Sequence, residues 1–409
     1  MKRLHFYFVI IFAAIAGLYS CKQAKAKHLE KDQSAVIDST GIRLQIITNA
    51  VSMPVQISVP SDSANRLFIT DNTGKIWIMK NDSLLPHPFL AFSRKPEKKD
   101  DTDPVGTINS IAFHPQFSIN HKFYVCYNAA TAIAANKTKL VVAEFTASKT
   151  DADSADLKTE HRVFELEGNR IFANGAGIAF GPDGYLYISI GDNDFGDSSY
   201  VYHAQDLNYL NGKLLRIDVN KTPYAIPPDN PFVGMSNKRP EIWAYGFRKI
   251  WRFTFDPKSQ QIFGADVGEI KAEEIDIITK GANYGWPVME GDSVFNNNVS
   301  IDKKTFTSCI NEYPRKDGIC VIGGNFYYGK EIPFLQNKYV YGDFNSKIFT
   351  LTKDEKGQWI RHEVKIKNMP ADPFLICAFD EDRNNELYVM GFLNTKTGPK
   401  GAVYKIVKE

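Results

Sequence analysis

Residues 180–190, FGPDGYLYISI, set the reading of the whole chain. Pro182-Asp183-Gly184 is a tight-turn tripeptide, because proline presets φ and glycine supplies the positive φ a reversal needs. The next residues, Tyr185-Leu186-Tyr187-Ile188, form an aromatic and β-branched run in which large side chains alternate at period two, the mark of a strand. The same kind of run recurs as Arg66-Leu67-Phe68-Ile69, Lys122-Phe123-Tyr124-Val125, Gln261-Ile262-Phe263-Gly264, Lys338-Tyr339-Val340-Tyr341 and Glu386-Leu387-Tyr388-Val389. The spacing, roughly 50 to 75 residues, is that of one four-stranded propeller blade with insertions. Long helical periodicity is absent. The expectation is an all-β, six-bladed β-propeller with four-stranded blades, in which stacked sheets cover each other's apolar faces. The C-terminal run Gly401-Ala402-Val403-Tyr404-Lys405-Ile406-Val407 is placed to pair with N-terminal strands and close the ring.

Working outward, residues 41–409 are expected to form that single propeller domain. Residues 1–20 have the plan of an export signal: Lys2 and Arg3, an apolar run from Phe6 to Leu18, then Leu18-Tyr19-Ser20-Cys21. The run is short for a membrane span. Its last four residues resemble a bacterial lipobox, which marks Cys21 for acylation and predicts a lipid anchor in the cell envelope; a plain signal peptide with an incidental cysteine is the alternative. Residues 21–40, rich in lysine, are expected to be a solvated tether.

Removing residues 1–20 leaves 47 basic against 47 acidic residues. A neutral chain without a basic stripe gives no support for nucleic-acid binding, and membrane contact is expected through the N-terminal lipid only. Cys126, Cys309, Cys320 and Cys377 form no CxxC, so neither a zinc ribbon nor covalent haem is implied. Cys309 and Cys320 are spaced to close a short loop in an oxidising compartment, or all four are free thiols. The charged insertion from Arg94 to Pro104 carries no assigned function.

Several stretches together resemble the glucose/sorbosone dehydrogenase family, which comprises soluble PQQ-dependent aldose sugar dehydrogenases and hedgehog-interacting-protein-like relatives. They are Ala112-Phe113-His114-Pro115-Gln116-Phe117, the 180–190 segment with Gly191-Asp192, Ala204-Gln205-Asp206-Leu207, Gly212-Lys213-Leu214-Leu215-Arg216-Ile217-Asp218 and Pro227-Pro228-Asp229-Asn230-Pro231-Phe232. The block from Ile242 to Gly291 adds Trp243-Ala244-Tyr245-Gly246-Phe247-Arg248, Asp266-Val267-Gly268, Glu273-Glu274-Ile275 and Asn283-Tyr284-Gly285-Trp286-Pro287. Gly323-Gly324 and Tyr339-Val340-Tyr341-Gly342-Asp343-Phe344 extend it, so the resemblance spans nearly the whole domain in the family's order.

The resemblance implies PQQ and calcium as cofactors and oxidation of a sugar at its anomeric carbon, with a histidine as proton acceptor. That histidine's position falls on Ala173, which has no acceptor. The arginine expected shortly after falls on Gly177, a polar contact near residue 105 is Val105, and an arginine after the paired glycines is Tyr328. Asn174, Arg248 and Lys249 remain as cofactor-binding candidates, and His203 is the candidate substitute base. For calcium the resemblance implies the Gly268 and Glu269 carbonyls, with Glu274 and the Tyr284 carbonyl at a neighbouring position and Glu273 adjacent. Two functions stand side by side: a PQQ-dependent sugar dehydrogenase, or a non-catalytic envelope propeller that binds a glycan or protein partner.

Overall fold

The turn at 182–184 forms as its residues dictate. In the computed structural model Gly184 takes φ +80°, and the Gly181 amide donates to the Tyr185 carbonyl at 2.9 Å. This reversal lays strand Gly175–Phe180 antiparallel to Leu186–Ile190, with Ile178 opposite Ile188. The structure describes residues 36–92, 107–129, 138–169, 175–192, 202–296 and 305–409. The expected signal segment, Cys21 and most of the tether lie outside the described residues.

The same hairpin logic repeats along the unit Ala35–Glu409. One sheet is Pro54–Ser58, Arg66–Asp71 and Lys75–Lys80 with the short pieces Ser83–Leu84 and Leu90–Ala91. The next is Thr107–Phe113, Lys122–Ala129, Thr138–Thr146 and His161–Asn169. A third is Gly175–Phe180, Leu186–Ile190, Lys213–Ile217 and Ile242–Tyr245, and a fourth is Ile250–Phe255, Ile262–Asp266, Ala272–Ile278 and Asn311–Pro314. An eight-stranded sheet then runs Val321–Phe326, Tyr339–Asp343, Ile348–Lys353, Trp359–Ile366, Val36–Thr48, Gly398–Lys408, Leu387–Thr395 and Phe374–Glu381.

The leading strands pack side by side in a closed circuit: Pro54–Ser58 beside Thr107–Phe113, then Gly175–Phe180, Ile250–Phe255, Val321–Phe326, Phe374–Glu381 and back to Pro54–Ser58. The architecture is all-β and propeller-like. Apolar side chains fill the wedges between neighbouring sheets. Phe68, Ile76 and Ile78 meet Phe123, Val125 and Phe145; Cys126, Leu140 and Val142 meet Ile178, Ile188 and Leu215; Phe263 and Ala265 meet Tyr339, Tyr341 and Phe349. Each sheet is thereby covered on both faces, which no isolated four-stranded sheet achieves. The four described cysteines are free thiols, Cys309 and Cys320 included. No helix among the described residues is long and apolar enough to cross a membrane.

The C-terminal strand does pair with an N-terminal one. Val36–Thr48 runs antiparallel to Gly398–Lys408, with Leu44 opposite Ile406, and parallel to Trp359–Ile366, with Ile42 opposite Ile366. It begins at Val36, inside the stretch assigned to the tether. Ile42 is fully buried among Ile322, Ile348 and Ile376. Ile42→Ala is expected to cost about 2–5 kcal/mol of unfolding free energy in urea; a cost under about 1 kcal/mol would place this strand outside the cooperative unit.

Candidate functional site

Arg248 and Lys249 immediately precede the leading strand Ile250–Phe255, so their side chains start at its N-terminal end. The Asp266 carboxylate fixes both backbones, accepting from the Arg248 amide at 3.0 Å and the Lys249 amide at 2.5 Å. Arg248 Nη1 donates to the carbonyls of Val267 at 3.0 Å and Gly268 at 2.9 Å, and its Nη2 pairs with the Glu269 carboxylate. The guanidinium also lies 5.6 Å from the centre of the Trp286 ring, within cation–π range.

One side chain holds the turn that presents those carbonyls. Glu290 Oε1 accepts from the amides of Glu269, Ile270, Lys271 and Ala272 at 2.7, 2.9, 2.8 and 3.2 Å. Backbone passes so closely here that a Cβ on Gly268 would lie 1.7 Å from the Ala272 carbonyl oxygen, so glycine is required. The role of Glu290 is invisible in the sequence, since the partners lie about twenty positions away.

Trp286 connects this turn to His203. Its Nε1 donates to Asp192 Oδ2 at 3.0 Å, and Asp192 Oδ1 accepts from the His203 amide at 2.9 Å. Behind them the buried Lys213 ammonium donates to the carbonyls of His203, Ala204 and Asn211 at 2.9, 2.9 and 2.6 Å. Burial pushes Lys213 down to about 7, opposed by Asp192. Gln205 and Asn283 bond each other amide to amide, and Gln205 also reaches the Trp286 carbonyl at 2.7 Å. Lys213, Gln205 and Asn283, all drawn from the motifs that carry the resemblance, therefore act as scaffold. The His203 imidazole stacks on Tyr209 with centroids 4.0 Å apart, and burial lowers its pKa, which keeps it neutral and able to accept a proton near pH 7.

The carboxylates divide by strand parity. On Ala272–Ile278, neighbouring residues face opposite ways. Glu273 turns to Arg315, with which it pairs, and accepts from the Val321 amide at 2.7 Å; burial pushes its pKa up to about 7. Glu274 faces the other way, accepting from the Gly291 amide at 2.6 Å. It shares its surroundings with Asp276 and Asp266, and burial followed by those like charges raises its pKa. Both oxygens of Asp276, which is 1% exposed, lack a hydrogen-bond partner, as does Glu290 Oε2. Glu273 is thus not brought together with Glu274. Tyr284 belongs to the latter side, its ring stacked on Phe247 at 4.5 Å and its hydroxyl donating to the Ile277 carbonyl. Among the described residues no three His, Cys, Asp or Glu side chains converge as a formed metal site.

Ala173, Asn174 and Val105 lie outside the described residues. At Gly177 a Cβ would meet Ser189 Oγ at 3.3 Å and Phe253 at 3.5 Å, so the space beside it is already filled. Tyr328 is not at this rim. Its hydroxyl donates to Asp256, which comes just after the C-terminal end of Ile250–Phe255, the end opposite Arg248.

The family model described as glucose / sorbosone dehydrogenase matches residues 51–372. The HIPL2 protein of Arabidopsis thaliana is 32% identical over 85% of this chain, and the chain spans 60% of that relative's length. Among solved structures, the soluble aldose sugar dehydrogenase of Escherichia coli in its apo-form superposes with a TM-score of 0.72 at 21% identity, covering 90% of this chain and 100% of that one. The PQQ-bound aldose sugar dehydrogenase of Streptomyces coelicolor gives 0.67 at 16% identity, covering 92% and 100%. These two likenesses establish the fold.

Burying the unpartnered Asp276 carboxylate beside Asp266 and Glu274 opposes folding. Without divalent cations at pH 8, Asp276→Asn is expected to raise the unfolding free energy by about 1–3 kcal/mol. Equal or lower stability of the variant in thermal or urea unfolding would contradict this account of the cluster.

Proposed function

The chain belongs to the glucose/sorbosone dehydrogenase family, and from that membership we propose that it is an envelope-anchored quinoprotein that binds PQQ and a sugar at the rim carrying Arg248, with turnover weakened by Ala173. The observation that carries this is the cation-bearing turn itself: Arg248 held over Trp286, its backbone fixed by Asp266 and its acceptors positioned by Glu290. A planar guanidinium suits a carboxylate of the cofactor, which would compete with Glu269 for the same face. Lys249 is a second cation beside it, and Asn174 a further contact proposed on the resemblance.

When bound, PQQ supplies a two-electron acceptor for the sugar's anomeric hydride. The protein's part is to orient the sugar and remove the hydroxyl proton, and a positioned base is worth about 10²–10⁴-fold. Ala173 offers none. His203, neutral and joined to Trp286 through Asp192, is the remaining imidazole we assign to that task.

The residues divide on calcium. Gly268 and Glu269 do not fit a calcium ion as they stand, because the Arg248 guanidinium already engages the Gly268 carbonyl and the Glu269 carboxylate. Glu274 and the Tyr284 carbonyl fit better, since the Asp276 oxygens beside Glu274 are hard donors with no hydrogen-bond partner. We assign calcium there, in a structural role. The count of six blades is supported by the circuit of six leading strands, with the eight-stranded sheet divided between Trp359–Ile366 and Val36–Thr48. Export and lipid attachment at Cys21 are proposed on residues 2–21 alone.

A second reading, a binding propeller without turnover, is favoured by the occupied guanidinium and the missing base together. Purified protein lacking residues 1–20, given calcium and PQQ, distinguishes the two by cofactor absorbance and dye reduction with aldoses. The proposal expects quinone binding with slow reduction, and a gain of about tenfold or more in Ala173→His. Absence of quinone binding would leave the binding propeller. Calcium is expected to raise the melting temperature of the parent protein and to do so far less in Asp276→Asn; an identical rise in both would remove calcium from this cluster.

A further inference from the structure

The ring has a second mouth. The C-terminal halves of the leading strands, with the loops after them, enclose a cavity of about 600 Å³ at the end away from Arg248, within the range of small-molecule pockets. Arg252 forms its floor. Its guanidinium crosses the axis, Nη2 donating to the carbonyls of Val55 at 2.8 Å and Asn109 at 3.0 Å, Nη1 to that of Trp251 at 3.0 Å, while the buried Nε has no partner. Phe113, Phe180 and Phe255 are half-buried in the walls.

Three carboxylates, Asp380, Glu381 and Asp382, line this cavity, and the first two are withdrawn from water by burial. Asp380 accepts from the Ile57 amide at 2.7 Å, and Glu381 leans on Asn385 with Asp382 as a like-charged neighbour. Among the described residues neither forms an ion pair. Arg252 contributes its field to Asp380, but its directed N–H groups go to backbone carbonyls. Arg383 at the rim donates to the carbonyls of Ser63 and Asp62.

We propose that this cavity binds a small organic cation, an alkyl ammonium or guanidinium of diamine size, through Asp380 and Glu381 with its hydrocarbon against the phenylalanines. A carboxylate withdrawn from water needs a partner to stay charged, and aromatic faces favour organic cations over hydrated metal ions. Three consecutive acids, Asp380 to Asp382, disfavour an anion even above Arg252. Nothing in the established family membership assigns this mouth a ligand, and the site shares no residue with the Arg248 rim.

The ligand's grip depends on pH in a defined direction. Burial pushes Asp380 up to about 8 and Glu381 up to about 7, so without ligand both carry protons through much of the neutral range. The groups facing them are Arg252, Arg383, Asp382, Tyr328 and His114. Burial lowers the His114 pKa, so it adds no positive charge near neutrality. Cation binding must therefore release protons and tighten as pH rises from 6 to 8.

Calorimetric titration of the whole chain with putrescine and with agmatine, without quinone or sugar, tests this. Saturable binding is expected, about tenfold or more tighter at pH 8 than at pH 6, with proton release measured from two buffers of different ionisation enthalpy. Glu381→Gln should weaken it by about tenfold or more, while Arg248→Ala leaves it unchanged. No saturable heat from either amine at pH 8, or equal affinity in a folded Glu381→Gln, overturns the proposal. If that variant fails to fold, absence of proton release in the parent chain does so instead. Because no quinone is present, the outcome is independent of the function proposed for the other rim.

Discussion

The structure depends on closing a ring of sheets that are unstable alone. Each four-stranded sheet has two apolar faces, and only a neighbour on either side covers both. The circuit of leading strands must therefore meet itself, and Val36–Thr48 makes the meeting permanent by bonding to Gly398–Lys408 on one edge and Trp359–Ile366 on the other. Loop closure between the two ends of the chain is entropically costly, but the cost grows only slowly with length, while the paired strand also buries Ile42 and Leu44. Once the ring is closed, the ends of the leading strands converge at two mouths, and both candidate sites arise from that convergence.

At the Arg248 mouth the chemistry is a balance of charges taken from water. Asp266, Asp192, Glu269 and Glu290 each fix a backbone segment or a cation, so they serve placement. Asp276 differs because no donor meets either of its oxygens. The far mouth repeats the contrast: Arg252 is tied to carbonyls of three strands, while Asp380 accepts one amide from Ile57 and Glu381 leans on Asn385. In both places an uncompensated carboxylate, more than a cavity alone, marks where a ligand would contribute.

Much of the fold was legible because its signals are local. The 182–184 turn and its period-two strand are settled by neighbouring residues, and the recurrence of such runs gives the repeat. The start of Val36–Thr48 was not, since Val36-Ile37-Asp38-Ser39-Thr40 lacks alternation and comes after a lysine-rich stretch. Among site residues, Arg248 and Lys249 lie together just before Ile250–Phe255, both backbones held by Asp266. Glu273 does not join Glu274, although strand parity alone would have separated them. Tyr328 sits at the opposite mouth because the strand after the paired glycines runs through the ring. Glu290, Arg252 and Asp380 were missed for a common reason: their partners are distant in sequence, and no spacing rule reports a long-range contact; Asp276 was missed because burial without a donor leaves no mark in the sequence.

The proposed recognition of the quinone depends on the Arg248 guanidinium. Equilibrium titration of PQQ into the parent protein and Arg248→Ala, followed by cofactor absorbance, tests it most directly. Saturable one-to-one binding is expected, falling about tenfold or more in the variant on loss of a charge-assisted pair. Binding of equal strength in both proteins would contradict it.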